Sequence, residues 1–432
     1  MSAKVYTPLE IEDLAANGDL RRRARNLSLA WGRHRTPPDV DAVKMRLGRL
    51  NRLRDEMAKR DCGALILTDP VNIRYATDAR NMTVFHLRNP ARYLFLPVDG
   101  PVVLFEFEGC SHLAEGLETI DEIRPGITVS SAAAGPLVYE RAKTWATQMH
   151  DLLRKHAGGK RIGLERFNAA CAFALAEMGY EIIDAQEPVE RARAIKNEEE
   201  IKAMTWSIRA VEEGVGQMRD ALHPGISENE LWAHLHKSII EQDGEYIETR
   251  LLSSGSKTNP WFNEAGPRVI EPSDLVGLDT DVIGPYGYYA DFSRTFFCGA
   301  GKPSDEQRKL YKLAYEQVHY NMDLLKPGMT FREFAEKAWQ IPDSYFANRY
   351  FLSVHGVGMT GEYPYIMHKE DFDASGYDGV IEPNMTLCVE SYVGEENGQE
   401  GVKLEQQVIV RENGIELMSH FPFEEALLGR EF

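Results

Sequence analysis

The sequence predicts an α+β protein in two parts, an α/β module followed by a larger domain with an internal pseudo-two-fold repeat. Three observations carry this expectation. At 432 residues the chain is long for a single core. Its first half alternates helical and strand periodicities, and its second half holds two copies of a Leu-x-Pro-Gly turn that each enter a helix.

Residues 1–42 are polar and carry the basic cluster Leu20-Arg-Arg-Arg-Ala-Arg25, read as an N-terminal arm with a solvated helix face or an oligomer contact. Residues 43–60 place apolar side chains at helical spacing, and CGALILTDPVNIRYATD (62–78) follows as a strand closed by a proline turn. ARYLFLPVDGPVVLFEFEG reads as a hairpin around Asp99-Gly100. A helix at 137–157, the strand KRIGLE and a helix to Gly179 complete a module spanning 43–190. RARAIKNEEEIKAM then opens a long helix towards Met218, and 191–432 forms the second domain. There ALHPGISENELWAHLH (221–236) and LLKPGMTFREFAEKAW (324–339) align; Pro-Gly makes each turn and Ser227 or Thr330 can cap the helix after it.

Composition narrows the function classes. The chain is 43% hydrophobic and 27% charged, with neither a basic-then-apolar start nor an apolar run long enough for a membrane, which predicts a soluble cytoplasmic protein. Cys62, Cys110, Cys171, Cys298 and Cys388 are scattered and never in a CxxC pair, against a disulfide framework or a thiolate zinc site. A net charge of −18 argues against nucleic acid and is compatible with a cationic small substrate.

The chemistry concentrates in carboxylates set among apolar residues. Asp279 and Asp281 lie two apart in LVGLDTDVI, so on a strand they share one face, and the turn at Gly284, Pro285 and Gly287 returns Asp291 beside them. MTLCVESYV and GVKLEQQVIV form a second hairpin that buries Glu390 and Glu405. Between the hairpins stands His355 in SVHGVGMTGEYP, with Gly356 and Gly358 allowing close backbone approach. Hard oxygen ligands with a single imidazole suit two first-row divalent ions about 3.5 to 4 Å apart. The alternative is that these acids pair with Arg250, Arg268 and Arg294 or lie on solvated faces, which accounts for one of them better than for all.

The repeat followed by Asp…Asp, His-Gly-x-Gly, Glu and Glu resembles the pita-bread metalloenzymes, the family of methionine aminopeptidase, prolidase, Xaa-Pro aminopeptidase and creatinase. The first module resembles the N-terminal domain of its creatinase and prolidase branch. This implies metal ligands at Asp279 or Asp281, Asp291, His355, Glu390 and Glu405, and a homodimer. Three departures count against a peptidase. Trp261, after Asn259-Pro260, stands where peptidases carry one histidine, and Glu362 where they carry another, seven residues beyond His355. Peptidases also set their two aspartates at a spacing between the twelve residues from 279 to 291 and the ten from 281 to 291.

A closer likeness is to the P-type dimethylsulfoniopropionate (DMSP) lyases of the same fold, in ETRLLSSGSKTNPWFNEAGPRVI, Asp-Thr-Asp, HGVG and LCVESYVGEE followed by KLEQQV. It implies all six of Asp279, Asp281, Asp291, His355, Glu390 and Glu405 as ligands of two divalent metals, iron first, with manganese, zinc, cobalt or nickel as alternatives. The expected reaction is C–S cleavage of DMSP, or a similar small zwitterion, to dimethyl sulfide and acrylate. Phe85, Trp261, Tyr350 and Tyr363 would line the substrate pocket. An aspartate the lyases use as base is Gly361 here and a pocket tryptophan is Phe85, so either Glu362, Tyr350, a ligand carboxylate or a metal-bound hydroxide takes the base's role or the substrate is another one. The alternatives are a prolidase-like peptidase or another C–N hydrolase of this fold, and a module without catalysis.

Overall fold

The computed structural model describes residues 39–429, so the basic cluster near Arg25 lies outside the described residues. It divides into two compact units that part between Glu199 and Glu200.

Among the described residues, the first unit opens with helix α1 (Ala42–Lys59), whose N-cap Asp41 accepts from the Lys44 amide. Strands β1 (Ala64–Leu67), β2 (Tyr93–Pro97), β3 (Val103–Glu106), β4 (Glu122–Pro125), β5 (Arg161–Leu164) and β6 (Glu181–Asp184) form one mixed sheet in the order β4-β3-β2-β1-β5-β6. The hairpin at Asp99-Gly100 is present, with Phe95 opposite Val103. The proline turn after β1 proves to be a helix start. Pro70 occupies the first turn of α2 (Pro70–Thr77), where its missing N–H is no loss, and Asp69 caps it. A short α3 (Thr83–Arg88) follows. Helices α4 (Val138–His156) and α5 (Ala169–Glu177) cover the sheet, burying Trp145, Met149, Leu153 and Leu175 against Tyr93 and Phe105. The boundary expected at residue 190 lies further on. Helix α6 (Gln186–Ala194) stays with this unit because Tyr75 donates to the Ala192 carbonyl at 2.9 Å and Arg193 to Asn72 at 2.8 Å.

The second unit carries the repeat, and its two copies make matching backbone hydrogen bonds. After α7 (Glu198–Ala221), the Gly225 amide donates to Ile270 and the Glu228 amide to Arg268, both at 2.9 Å. The second copy follows α9 (Asp305–Leu324), and here Gly328 donates to Ile381 at 2.8 Å and Phe331 to Gly379 at 3.0 Å. Both glycines have positive φ, +99° and +86°. Ser227 and Thr330 each complete a capping box, with Glu230 and Glu333, at the starts of α8 (Glu228–Glu241) and α10 (Phe331–Lys337).

Strands fill the space between the helices. A short β7 (Tyr246–Ile247) pairs with β10 (Val282–Ile283), which pairs with β11 (Tyr289–Ala290); β8 (Leu252–Ser254), β9 (Leu275–Leu278) and β12 (Arg294–Phe297) form a second small sheet. Strands β13 (Val354–Val357), β14 (Gly361–Ile366), β15 (Thr386–Val393), β16 (Val402–Arg411) and β17 (Gly414–Leu417) make an antiparallel sheet in the order β14-β13-β15-β16-β17. Both β15 and β16 are buried along nearly their whole length, and Ser391 on β15 donates to Gln317 of α9 at 2.8 Å. Among the described residues no helix is long and apolar enough to cross a membrane.

Loss of either capping hydroxyl removes one satisfied helix-start amide. Ser227→Ala and Thr330→Ala are each expected to cost about 1 kcal/mol of stability, read as a lower urea midpoint at unchanged slope.

Candidate metal centre

The first hairpin is not continuous. Its ladder runs from β9 to β12, stops, and resumes between β10 and β11. The aspartates stand in the gap. Asp279 and Asp281 therefore do not share the face of one strand, as alternation predicts: β9 ends at Leu278 and Asp281 has φ +43°, a left-handed conformation that aspartate tolerates better than most residues. Thr280 bridges the gap by donating to the Ala290 carbonyl and accepting from the Phe292 amide, both at 3.0 Å. The three carboxylates still converge, with oxygens of Asp279, Asp281 and Asp291 within 4.8 Å of one another. Asp281 accepts from Tyr289 Oη at 2.7 Å and from Thr249 Oγ1.

On the larger sheet Glu390 and Glu405 are direct cross-strand partners. Like charges in that position repel unless a cation lies between them. His355, on the neighbouring β13, is anchored by Nδ1 against the Gly356 carbonyl at 2.9 Å and points Nε2 inward, 3.2 Å from Glu390 Oε1, 3.5 Å from Glu405 Oε1 and 3.6 Å from Asp291 Oδ2. Which nitrogen carries a proton follows from that contact. Cys388 faces the same space, its sulfur within 4.8 Å of ligand atoms of Asp291, His355 and Glu405.

Burial pushes the Asp281 carboxyl up to about 7, and the charge of Asp279 adds to the rise. Asp291 is raised well above the usual carboxylate range by burial and by its acidic neighbours Glu405, Asp281 and Asp279. His355 is raised despite burial, because Glu390 and Glu405 favour its charged form. A group this acidic and this dry calls for cations. Asp291 Oδ1, Glu390 Oε1 and Glu405 Oε1 are buried and accept no well-aligned hydrogen bond among the described residues, so donor atoms that a metal would use stand ready. Five carboxylates and one imidazole fit divalent first-row ions.

Two of the arginines considered as partners, Arg268 and Arg294, are engaged elsewhere. Arg268 pairs with Asp274 at 2.6 Å, and Arg294 donates to main-chain carbonyls and Gln406. The cation at the cage is Lys403, wholly buried, 2.6 Å from Glu390, 3.1 Å from Glu405 and 3.4 Å from Asp279. Its signal was the Lys-Leu-Glu run, since residues two apart on a strand share a face.

The expected pocket residues separate. Tyr350 lies at the cage, its ring 4.6 Å from Lys403 Nζ, and burial together with Glu390 and Asp279 holds its phenol well above the usual range. Trp261 is buried against Leu251 and Tyr392, 6.0 Å from Lys403. Tyr363 stacks on Tyr377 with centroids 5.7 Å apart. Glu362 packs its carboxylate over Gly358, where a Cβ would collide with it. Gly361, one residue earlier on β14, faces the other way: a Cβ there would meet Tyr365 Oη at 3.9 Å and His355 Nδ1 at 4.0 Å. Phe85 belongs to the first unit, 43% exposed, with its ring against His86 and Phe107. Aromatics not anticipated from the sequence, Phe262, Phe351 and Tyr365, form a chain of ring contacts from Tyr350 to His355 at centroid spacings of 5.0 to 6.3 Å.

Residues 202–412 match the model of metallopeptidase family M24, and residues 49–195 that of the creatinase/prolidase N-terminal domain. Over 396 residues the chain is 37% identical to the dimethylsulfoniopropionate lyase DddP of Roseovarius nubinhibens, covering 90% of this chain and 89% of that protein. The enzyme of the same name from Roseobacter denitrificans is 36% identical over 397 residues, with the same coverage. Among solved structures, an Xaa-Pro dipeptidase from Bacillus anthracis superposes with a TM-score of 0.70 at 21% identity, covering 88% of this chain and 99% of that one. A prolidase from Pyrococcus horikoshii gives 0.69 at 19%, covering 87% and 99%. These two share the fold.

If the cage holds two metals, Asp291→Asn and Glu405→Gln each remove charge at the point where the two hairpins meet. Both variants are expected to bind fewer than half the metal equivalents of the parent protein when metal-loaded samples are desalted and analysed by mass spectrometry. Parent-level metal in both would count against these ligands.

Proposed function

The chain belongs to metallopeptidase family M24, in the same branch as the DddP lyases it matches, and from that premise we propose that it is a metal-dependent lyase cleaving the C–S bond of DMSP. The products are dimethyl sulfide and acrylate. The observation that carries the reading is the pairing of a carboxylate-rich cage with a path of aromatic rings leading out of it. This reading takes the six candidate ligands to hold two ions, with iron first among the metals, and the chain to be a homodimer.

Two divalent ions in the cage would supply positive charge to bind the substrate carboxylate and to stabilise negative charge as the α-proton leaves. The chain's own residues do the rest. Phe262, Phe351 and Tyr365 offer ring faces and edges to a sulfonium, a cation without hydrogen-bond donors that water solvates poorly and aromatic rings attract. In the elimination the α-proton passes to water, the C–H electrons form the double bond, and the C–S pair leaves on sulfur as neutral dimethyl sulfide. Tyr350, kept protonated by its acidic surroundings, is suited to donating a hydrogen bond to substrate rather than to accepting the proton. Gly361 offers no base, and Glu362 turns to the opposite face of β14. The reading therefore has proton removal limiting the rate.

Hydrolysis of Xaa-Pro dipeptides is the weaker reading, since Trp261 and Glu362 stand where peptidases place histidines and Trp261 is buried in a small apolar cluster.

Headspace chromatography for dimethyl sulfide from the metal-loaded protein tests the proposal, and a fully metallated protein that releases none sinks it. The backbone has room for Gly361→Asp at its first side-chain atom, since a Cβ there meets only ordinary van der Waals neighbours. The substitution is expected to raise kcat by roughly 10-fold or more, since a positioned base contributes about 10²- to 10⁴-fold.

A further inference from the structure

The buried lysine has no role in the reaction described above. Lys403 lies on β16 two residues before Glu405, so both side chains leave the same face of the strand. Its ammonium makes three ion pairs and a hydrogen bond to Ser293 Oγ at 2.7 Å. Ser293 Oγ in turn lies 2.8 Å from both Asp279 Oδ1 and Glu405 Oε2, and its single proton can go to one of them at a time. The ammonium takes Oε2 of both glutamates, which leaves Oε1 of each turned towards His355. Among the described residues, no other lysine or arginine forms an ion pair with the five cage carboxylates.

The charge count gives this placement its meaning. Five carboxylates set against one ammonium and two divalent ions leave no net charge, whereas without the ions only the ammonium and the imidazole of His355 face them. A buried charge stripped of its partner is among the costliest defects a fold can carry. We propose that Lys403 is a positioning residue, an internal counter-cation that holds the ligand cage in shape before metal arrives and selects which oxygens of Glu390 and Glu405 face the ions. This rests on reading the cage as a two-metal site. Its consequence is that Lys403 matters more to the metal-free protein than to the loaded one, because four added positive charges take over its task.

The test compares melting temperatures of the full chain in chelator and in excess Mn²⁺, for the parent, K403M, K403R and K403M/E390Q. In chelator K403M is expected to melt roughly 10 °C below the parent. With manganese it should lose less, so the gain on adding metal widens. K403R keeps the charge and should regain most of the loss. K403M/E390Q removes one negative charge with the positive one and should also recover in chelator, including where K403M alone fails to fold. A merely space-filling lysine would leave E390Q without that rescue. Equal losses with and without manganese, or no recovery in K403M/E390Q, overturn the proposal. Parent protein that binds no manganese sinks the metal-centre reading instead, and the counter-cation is then judged on the melts in chelator.

Discussion

Glu390 and Glu405 face each other across adjacent strands, and together with Asp279, Asp281 and Asp291 they gather five carboxylates, four of them buried and Asp281 partly so. Such repulsion would disperse the group if its backbone could move. Neither strand can shift freely: β15 and β16 are buried along nearly their full length, and a one-residue slip of β16 would exchange the face bearing Lys403 and Glu405 for the one bearing Val402 and Leu404. The surrounding parts fit that constraint. The β9–β12 ladder opens where the aspartates need room, Thr280 takes up the backbone groups left unpaired there, and Lys403 supplies an internal positive charge.

The internal repeat explains how two hairpins come to meet. Each half begins with the same Pro-Gly turn, the same positive-φ glycine and the same capping box, and each turn is tied by matching backbone bonds to a later segment of its own half. The first half delivers three aspartates and the second delivers His355, Glu390 and Glu405. Candidate ligands drawn from both halves would make a metal centre here depend on their association.

On the outer side, chemistry is divided by the faces of a single strand. Successive residues of β14 point to opposite sides, so Gly361 and Tyr365 look towards His355 while Glu362 is turned onto Gly358. A carboxylate one position along the sequence is thus no substitute for one at Gly361. The alternation also makes Tyr365, hidden in a tyrosine-rich run, the side chain nearest the space that glycine leaves open.

Much was legible from the chain itself because it depends on local rules. Pro-Gly turns, capping residues, strand alternation and carboxylates set in apolar runs show the two-part α+β organisation, the repeat and the acids that converge. What required the tertiary structure were relations between residues far apart in sequence. That Pro70 starts a helix rather than closing a strand depends on Asp69 capping it, while Glu165 accepts from the Asp69 amide. That Asp281 adopts a left-handed backbone depends on Thr249 and Tyr289 holding its carboxylate. That Lys403, rather than an arginine, balances the cage depends on the register of β16 against β15 and on Ser293 reaching across from the other hairpin. Periodicity can state which face a side chain leaves from, but which charges meet there is decided by packing, because electrostatic energy depends on distance through space and not along the chain.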